Sequence, residues 1–285
     1  MRIAICVSGL LRDHKKSFDN LKETIIEPIK EFGNDVDLFI HSWQSEEEMK
    51  DDKWGINAER SVSKVKLKSF LKKTTQTLDD MDMRNKYTKT KLNYISSNIY
   101  PITDYKLEKQ SVVIKEIEDI RDKLIKNAYN NAGSPFNLSC WLYSLYKSNE
   151  LKNLYKKEHD VEYDLVIRWR TELEFTSKLT EVKFQEILDS GSEISIPLKG
   201  DYKKNGINDT FAIGTEEALD WYCDIKNHVD KYIARWRKSL NPHTLFGTHL
   251  SGGAIHDRFK GSFKSKNLKP HRFIFEYTLR GHSPS

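Results

Sequence analysis

The stretch Tyr163-Asp164-Leu165-Val166-Ile167-Arg168-Trp169-Arg170-Thr171-Glu172-Leu173-Glu174-Phe175 decides how this chain is read. An apolar run opens it, two arginines follow, and two glutamates close it. Residues two apart on a strand share a face, so Glu172 and Glu174 would stand together, as would Arg168 and Arg170. Carboxylates at such an edge suit a divalent cation. Arginines suit phosphate, because a guanidinium offers a planar fork of donors. Cation, phosphate and strand end together point to a protein that handles a nucleotide diphosphate. The competing reading of the same spacing is a core strand followed by solvated charge.

Around that strand the chain reads as alternating strands and helices. Residues 2–8 form a short apolar run that stops at Gly9. Phe18, Leu21, Ile25, Ile26 and Ile29 follow at helical spacing over 15–32, with Pro28 disturbing the second half. A second strand covers Asp35 to Trp43, and Tyr105–Glu108 returns to the sheet. Amphipathic helices are predicted over 111–127 and 138–157, leading straight into the arginine strand. Later segments read as a helix at 180–189, a strand at 193–197, a strand over 207–214, helices at 215–233 and 242–250, and a last strand over 271–278. Strand–helix–strand order predicts a parallel α/β sheet. Residues 44–98 are rich in Lys, Asp, Glu, Ser and Thr and read as a variable, partly helical insertion in one domain spanning 1–285.

Bulk properties narrow the classes. A chain of 285 residues buries roughly 75% of its unfolded surface, so it needs no disulfide framework. No segment approaches the ~18 apolar residues of a membrane span. The apolar start, Arg2–Val7, is too short for a signal peptide. Cys6, Cys140 and Cys223 lie far apart in apolar surroundings and read as reduced core thiols of a cytoplasmic protein. The net charge of +5 is compatible with a phosphorylated substrate or peripheral contact with an anionic membrane. The lysines are not interleaved with aromatics as in RNA-binding motifs, so no nucleic-acid partner is expected.

In open α/β sheets, ligands bind beyond the carboxyl ends of strands. Three such ends carry polar groups: Ser8-Gly9-Leu10-Leu11-Arg12, His41-Ser42-Trp43 and the arginine strand. Gly9 would let backbone approach a ligand, and Arg12 would fork onto a phosphate; an ordinary turn with a surface arginine is the alternative. No Gly-Lys-Ser/Thr follows, so this is not a Walker loop. Trp43, Trp141 and Trp169 read as sugar platforms or as core, with core favoured for Trp141. The loop Tyr202-Lys203-Lys204 reads as a donor cover or as plain surface.

Several segments, in shared order, resemble bacterial and viral glycosyltransferases that build capsules and surface glycans. They are the opening Arg2–Arg12, Asp37–Trp43, Ser139–Lys152, Tyr163–Phe175 and Asn208-Asp209-Thr210-Phe211-Ala212-Ile213-Gly214. The resemblance implies a GT-A-like, Rossmann-type mixed sheet flanked by helices. It implies transfer of sugar from a nucleotide-sugar donor to a glycan or lipid-linked hydroxyl acceptor in polysaccharide biosynthesis, assisted by Mn or Mg. Carried over by position, Gly9 and Arg12 line the donor site, and Ser8, His41, Arg168 and Arg170 join them as donor-site candidates from their places at the strand ends. Glu172 and Glu174 take the metal places, where the family has aspartate. Asp209 is the candidate general base for an inverting reaction, or else a turn residue before a strand. His249 is a third metal ligand or phosphate contact, against the alternative of a core histidine. A sulfotransferase-like or nucleotidyl-transferring enzyme, and a basic non-catalytic binding module, are the alternative functions.

Overall fold

The computed structural model describes residues 1–11, 14–43, 89–126, 134–197, 208–230, 232, 242–250, 271–273 and 277–279. Strand β1 (Arg2–Ser8) lies at the heart of the main sheet. It pairs in parallel with β2 (Asp35–Trp43) on one side and with β4 (Leu165–Arg170) on the other. Strand β3 (Asp104–Glu108) extends the parallel block beyond β2. On the far side β7 (Phe211–Gly214) runs antiparallel to β4, and β6 (Ile194–Pro197) antiparallel to β7. Strand β8 (His271–Phe273) pairs parallel to β6. The order is β3-β2-β1-β4-β7-β6-β8. It is a mixed α/β sheet of Rossmann type with helices on both faces, as the sequence and its resemblance lead one to expect.

Alternation along β1 sorts the two faces. Ile3, Ile5 and Val7 pack with Phe18, Ile25 and Ile29, and with Phe184 and Ile187. These come from α1 (His14–Leu21), the adjoining turns, α2 (Glu27–Glu31) and α5 (Glu181–Asp189). Ala4 and Cys6 point the other way, beneath α3 (Ile114–Lys126), α4 (Pro135–His159), α6 (Glu216–Cys223) and α7 (Pro242–Leu250). Both strand faces are covered, which is why β1 and the arginine strand read as continuous apolar runs. Burial pushes the Cys6 thiol up to about 12 and the Cys223 thiol well above its ordinary value. All three cysteines are buried and free, the inert condition of structural thiols. Among the described residues, no helix is long and apolar enough to cross a membrane.

Several expected boundaries move for local reasons. The helix predicted over 15–32 is broken into α1, a π-helical turn at Lys22–Ile26, and α2. Pro28 falls just past the π turn, and the Thr24 carbonyl four residues before it accepts instead from the Leu179 N–H at 2.8 Å. The helix expected over 215–233 stops at Cys223 and tightens into a 3-10 turn, Asp224–Asn227. The final strand divides into β8 and β9 (Tyr277–Leu279). Most of the 44–98 insertion lies outside the described residues; its end is helical over 89–94 and π-helical at Ile95–Ile99.

The arginine strand also stops early. β4 ends at Arg170, Thr171 and Glu172 turn, and β5 (Leu173–Phe175) pairs with β9 in a separate two-stranded sheet. Glu172 and Glu174 therefore do not stand side by side on one strand face. Gly9 has φ +130°, and a Cβ there would sit 2.8 Å from Thr171 Oγ1.

Helix α4 is pinned to the sheet by buried polar groups. His41 of β2 is fully buried; its Nδ1 lies 2.8 Å from Ser144 Oγ and its Nε2 3.0 Å from Glu108 Oε2. Tyr143 donates to the same carboxylate oxygen at 2.9 Å, and Lys106 pairs with the other at 3.0 Å. Burial alone would raise the Glu108 carboxyl, but His41, Lys106 and Tyr143 outweigh it and hold it at about 2. Burial lowers the His41 pKa, against the opposing pull of Glu108. Further along α4, the fully buried Lys152 lies 2.8 Å from both Glu216 and Asp220 of α6. Burial opposes its charge, and these carboxylates more than offset that.

Two outcomes are expected. Because the folded Glu108 carboxyl is depressed below the ordinary range of roughly 4.3, its contribution is complete above that range and lost as pH falls toward about 2. Chemical denaturation between those limits should show Glu108→Gln less pH-dependent than the native chain, by up to ~1.4 kcal/mol per pH unit. Equal slopes would remove this account. Separately, Gly9→Ala should cost ~1–3 kcal/mol of stability. The loss should shrink in a Thr171→Ala background, where the clashing hydroxyl is gone but the strained φ remains. An identical loss in both backgrounds would show that the contact plays no part.

Candidate functional site

The sheet grows from β1 outward to β2 and β3, then resumes on the other side of β1 with β4. The crevice beyond the carboxyl ends of β1 and β4 is thus a topological switch point, the usual ligand position in open α/β sheets. Strand register sets what meets there. Ser8 pairs with His41 on one side and Arg170 on the other, all on the face that carries α4. One row deeper, Arg168 lies between Cys6 and Ala212. Two small neighbours leave room for its long side chain.

Arg168 is fully buried. Its Nη1 donates to the Thr210 carbonyl, and its guanidinium carbon stands 5.7 Å from the centre of the Trp141 ring. Its Nε and Nη2 have no hydrogen-bond partner among the described residues, nor do Ser8 Oγ, Thr171 Oγ1, Trp141 Nε1 and Tyr222 OH. Burial lowers the proton affinity of this arginine. Unpaired buried donors are costly, and two of the Arg168 nitrogens are in that state among the described residues.

Arg170 is in the opposite condition. Its Nε donates to Glu172, and its Nη1 lies 3.9 Å from Asp209 Oδ2. Burial would lower its proton affinity, but Glu172 and Asp209 raise it on balance. Asp209 comes from the turn ahead of β7. There the Asn208 side-chain oxygen accepts from the Thr210 N–H at 2.8 Å and the Thr210 hydroxyl at 2.6 Å, an Asx turn of the usual kind. The antiparallel pairing of β4 with β7 then brings the Asp209 carboxylate to Arg170. Its other oxygen lies 3.1 Å from His243 Nδ1, in the first turn of α7.

The structure thus brings together Ser8, Gly9, Arg168, Arg170, Asp209 and Glu172, and adds His243 and Thr171, which the sequence did not suggest. A proline at the head of a predicted helix was the one signal near His243. Nothing in the spacing connects it with Asp209, which reaches it only through the fold.

Other expected members are placed elsewhere. The donor contact assigned to His41 is not met, because that ring is buried with both nitrogens engaged by Ser144 and Glu108. His249 belongs to the core. It stacks on Trp221 at 4.4 Å, its Nδ1 lies 2.7 Å from Tyr232 OH, and its Nε2 lies 2.5 Å from the Trp221 carbonyl. Burial pulls its pKa down to about 3. Trp43 stacks on Tyr143, and Trp169 packs against Phe175, so both are core. Glu174 pairs with Lys16 at 2.9 Å, while Glu172 is held by Arg170. Among the described residues, no three His, Cys, Asp or Glu side chains converge on a position that could hold a metal ion. Glu172, Glu174 and His249 therefore do not form one such cluster. Arg12 and the Tyr202–Lys204 loop lie outside the described residues.

Chemically, the corner offers cationic donors for an anion beside a carboxylate–imidazole pair for proton transfer. No protein-family model and no curated protein matches the sequence. Among solved structures, the apo form of mouse xyloside xylosyltransferase 1 overlaps with a TM-score of 0.39 at 12% identity, over 88% of this chain and 81% of that one. An overlap of that extent says nothing of this chain's activity.

Proposed function

We propose that this chain is a glycosyltransferase that moves a sugar from a nucleotide-sugar donor to a hydroxyl of a glycan or lipid-linked acceptor. The observation that carries the reading is the arginine pair of β4, set at the switch point beside β1 and facing Asp209. Three of the segments that resemble capsule and surface-glycan enzymes, Arg2–Arg12, Tyr163–Phe175 and Asn208–Gly214, contribute residues to this corner. The donor diphosphate would lie against Ser8, Gly9 and Arg170, with Arg168 adding positive potential from one row below. Arg12, outside the described residues, is a further proposed contact of the diphosphate by its place in the sequence.

Bond breaking leaves negative charge on the departing nucleotide diphosphate. Fixed cations aimed at that charge lower the barrier most where water is excluded. In an inverting displacement the acceptor hydroxyl loses its proton as it attacks, and the Asp209 corner is where that proton goes. Glu172, held by Arg170, and Glu174 remain the proposed places for Mn or Mg, where a cation would share the charge of the departing diphosphate. A net charge of +5 suits a cytoplasmic enzyme working at an anionic membrane face on a lipid-linked acceptor.

Thermal denaturation with UDP, GDP, CMP and their sugar conjugates tests the reading. At least one nucleotide should raise Tm in a saturable way, as a ligand of the folded state must. Arg170→Ala should weaken that nucleotide's binding by ~10-fold or more, the loss of a charged hydrogen bond. A Tm that responds to none of them discards the proposal.

A further inference from the structure

Arg168 carries a buried charge that the described residues leave incomplete. Its side chain lies on the α4 face of the sheet, in the row between Cys6 and Ala212, and is fully buried. Nη1 donates to the Thr210 carbonyl, while Nε and Nη2 have no partner. Among the described residues no carboxylate forms an ion pair with it. Asp209 is the acid whose charge bears on it, and that carboxylate lies 3.9 Å from Arg170 and 3.1 Å from His243. A buried charge is costly unless a counter-charge accompanies it.

Two more buried donors belong to the same group of side chains. The Trp141 ring of α4 is centred 5.7 Å from the Arg168 guanidinium carbon, and its Nε1 has no partner. Tyr222 of α6 is fully buried, its hydroxyl has no partner, and Arg168 is the charge that bears on it most. Trp141 and Tyr222 both pack on Phe246, with ring centres 5.2 Å and 4.6 Å from it. Strand β4 and helices α4 and α6 thus each bring an unpaired donor to one contiguous cluster.

The chemistry of the cluster selects its ligand. Guanidinium and indole nitrogens only donate, and a tyrosine hydroxyl donates as well as accepts. A cation finds no charge to meet there. Water would bring two hydrogens of its own, for which the three side chains offer a single acceptor, the tyrosine oxygen. One positive charge among neutral donors matches one negative charge, so a phosphate or sulfate dianion would leave an excess. Full burial suits an ion small enough to enter without its water shell. We infer that Arg168, Trp141 and Tyr222 hold a small monovalent anion of the chloride class. The inference does not rest on the transfer reading. An anion there would offset the potential that Arg168 lends to the diphosphate and leave Arg170 as the cation of the donor corner.

The experiment follows thermal denaturation of the full chain, free of nucleotide, while sodium gluconate is exchanged for sodium chloride at constant ionic strength. Gluconate is too large for the site and serves as the inert anion. Tm should climb saturably with chloride, by about 2–4 °C once chloride exceeds its Kd about tenfold. Arg168→Met should abolish the rise. Tyr222→Phe and Trp141→Phe keep the charge and an aromatic ring while each removes one donor. Each should weaken chloride binding ~10-fold or more, as the loss of a hydrogen bond to a charged group does. These two variants decide the matter if Arg168→Met does not fold. Water in place of an anion gives the same Tm in both salts, and that result overturns the inference. A chloride response of native size in Arg168→Met, or in either phenylalanine variant, overturns it as well. Neither result touches the transfer reading, since nucleotide is absent throughout.

Discussion

Strand β4 carries two incompatible neighbours, and the rest of the corner depends on holding both. On one side it runs parallel to β1, which sets Arg170 beside Ser8. On the other it runs antiparallel to β7, which sets Asp209 near Arg170. Parallel pairing aligns carboxyl ends, while antiparallel pairing brings a carboxyl end against an amino end. At β4 the two meet. The strand's basic terminus is therefore bordered by a glycine turn leaving one neighbour and an acidic turn entering the other.

That arrangement requires charge in places where water is scarce, and the chain manages it unevenly. Lys152 is buried but paired with two carboxylates, and Arg170 is flanked by Glu172 and Asp209. Arg168 is buried with one carbonyl and an aromatic face. Buried charge costs several kcal/mol unless compensated. A structural ion pair accounts for Lys152, whose partners are complete. The under-satisfied Arg168 is the sort of local conflict that concentrates at functional sites. Helix α4 bears on both, since it carries Lys152 and Trp141 and bonds the His41–Glu108 pair through Ser144 and Tyr143.

Much of the sheet was legible in the chain because burial on both faces writes itself as short apolar runs between turn residues. Strands β1, β2, β3 and β4, and helices α3 and α4, fall close to where periodicity puts them. The errors have a common cause. The pattern Glu172-Leu173-Glu174 alternates like a strand, and local spacing carries no sign that the chain leaves one sheet at Thr171 and enters another at Leu173. His41 and His249 look like site residues because histidine is versatile; burial beside Glu108 in one case and Trp221 in the other decides otherwise.

By itself, the sequence determined the α/β class, the covered faces of the central strands, the place of the arginine pair at a strand end, and the turn that presents Asp209. Each of these follows from local periodicity and residue chemistry. Only the tertiary structure decided which groups share the corner: that Asp209 lies between Arg170 and His243, that Glu172 and Glu174 separate, and that His41 and His249 withdraw into the core. Those outcomes depend on strand order and direction, and on a helix arriving from far along the chain. Such contacts between residues distant in sequence leave no trace in local spacing.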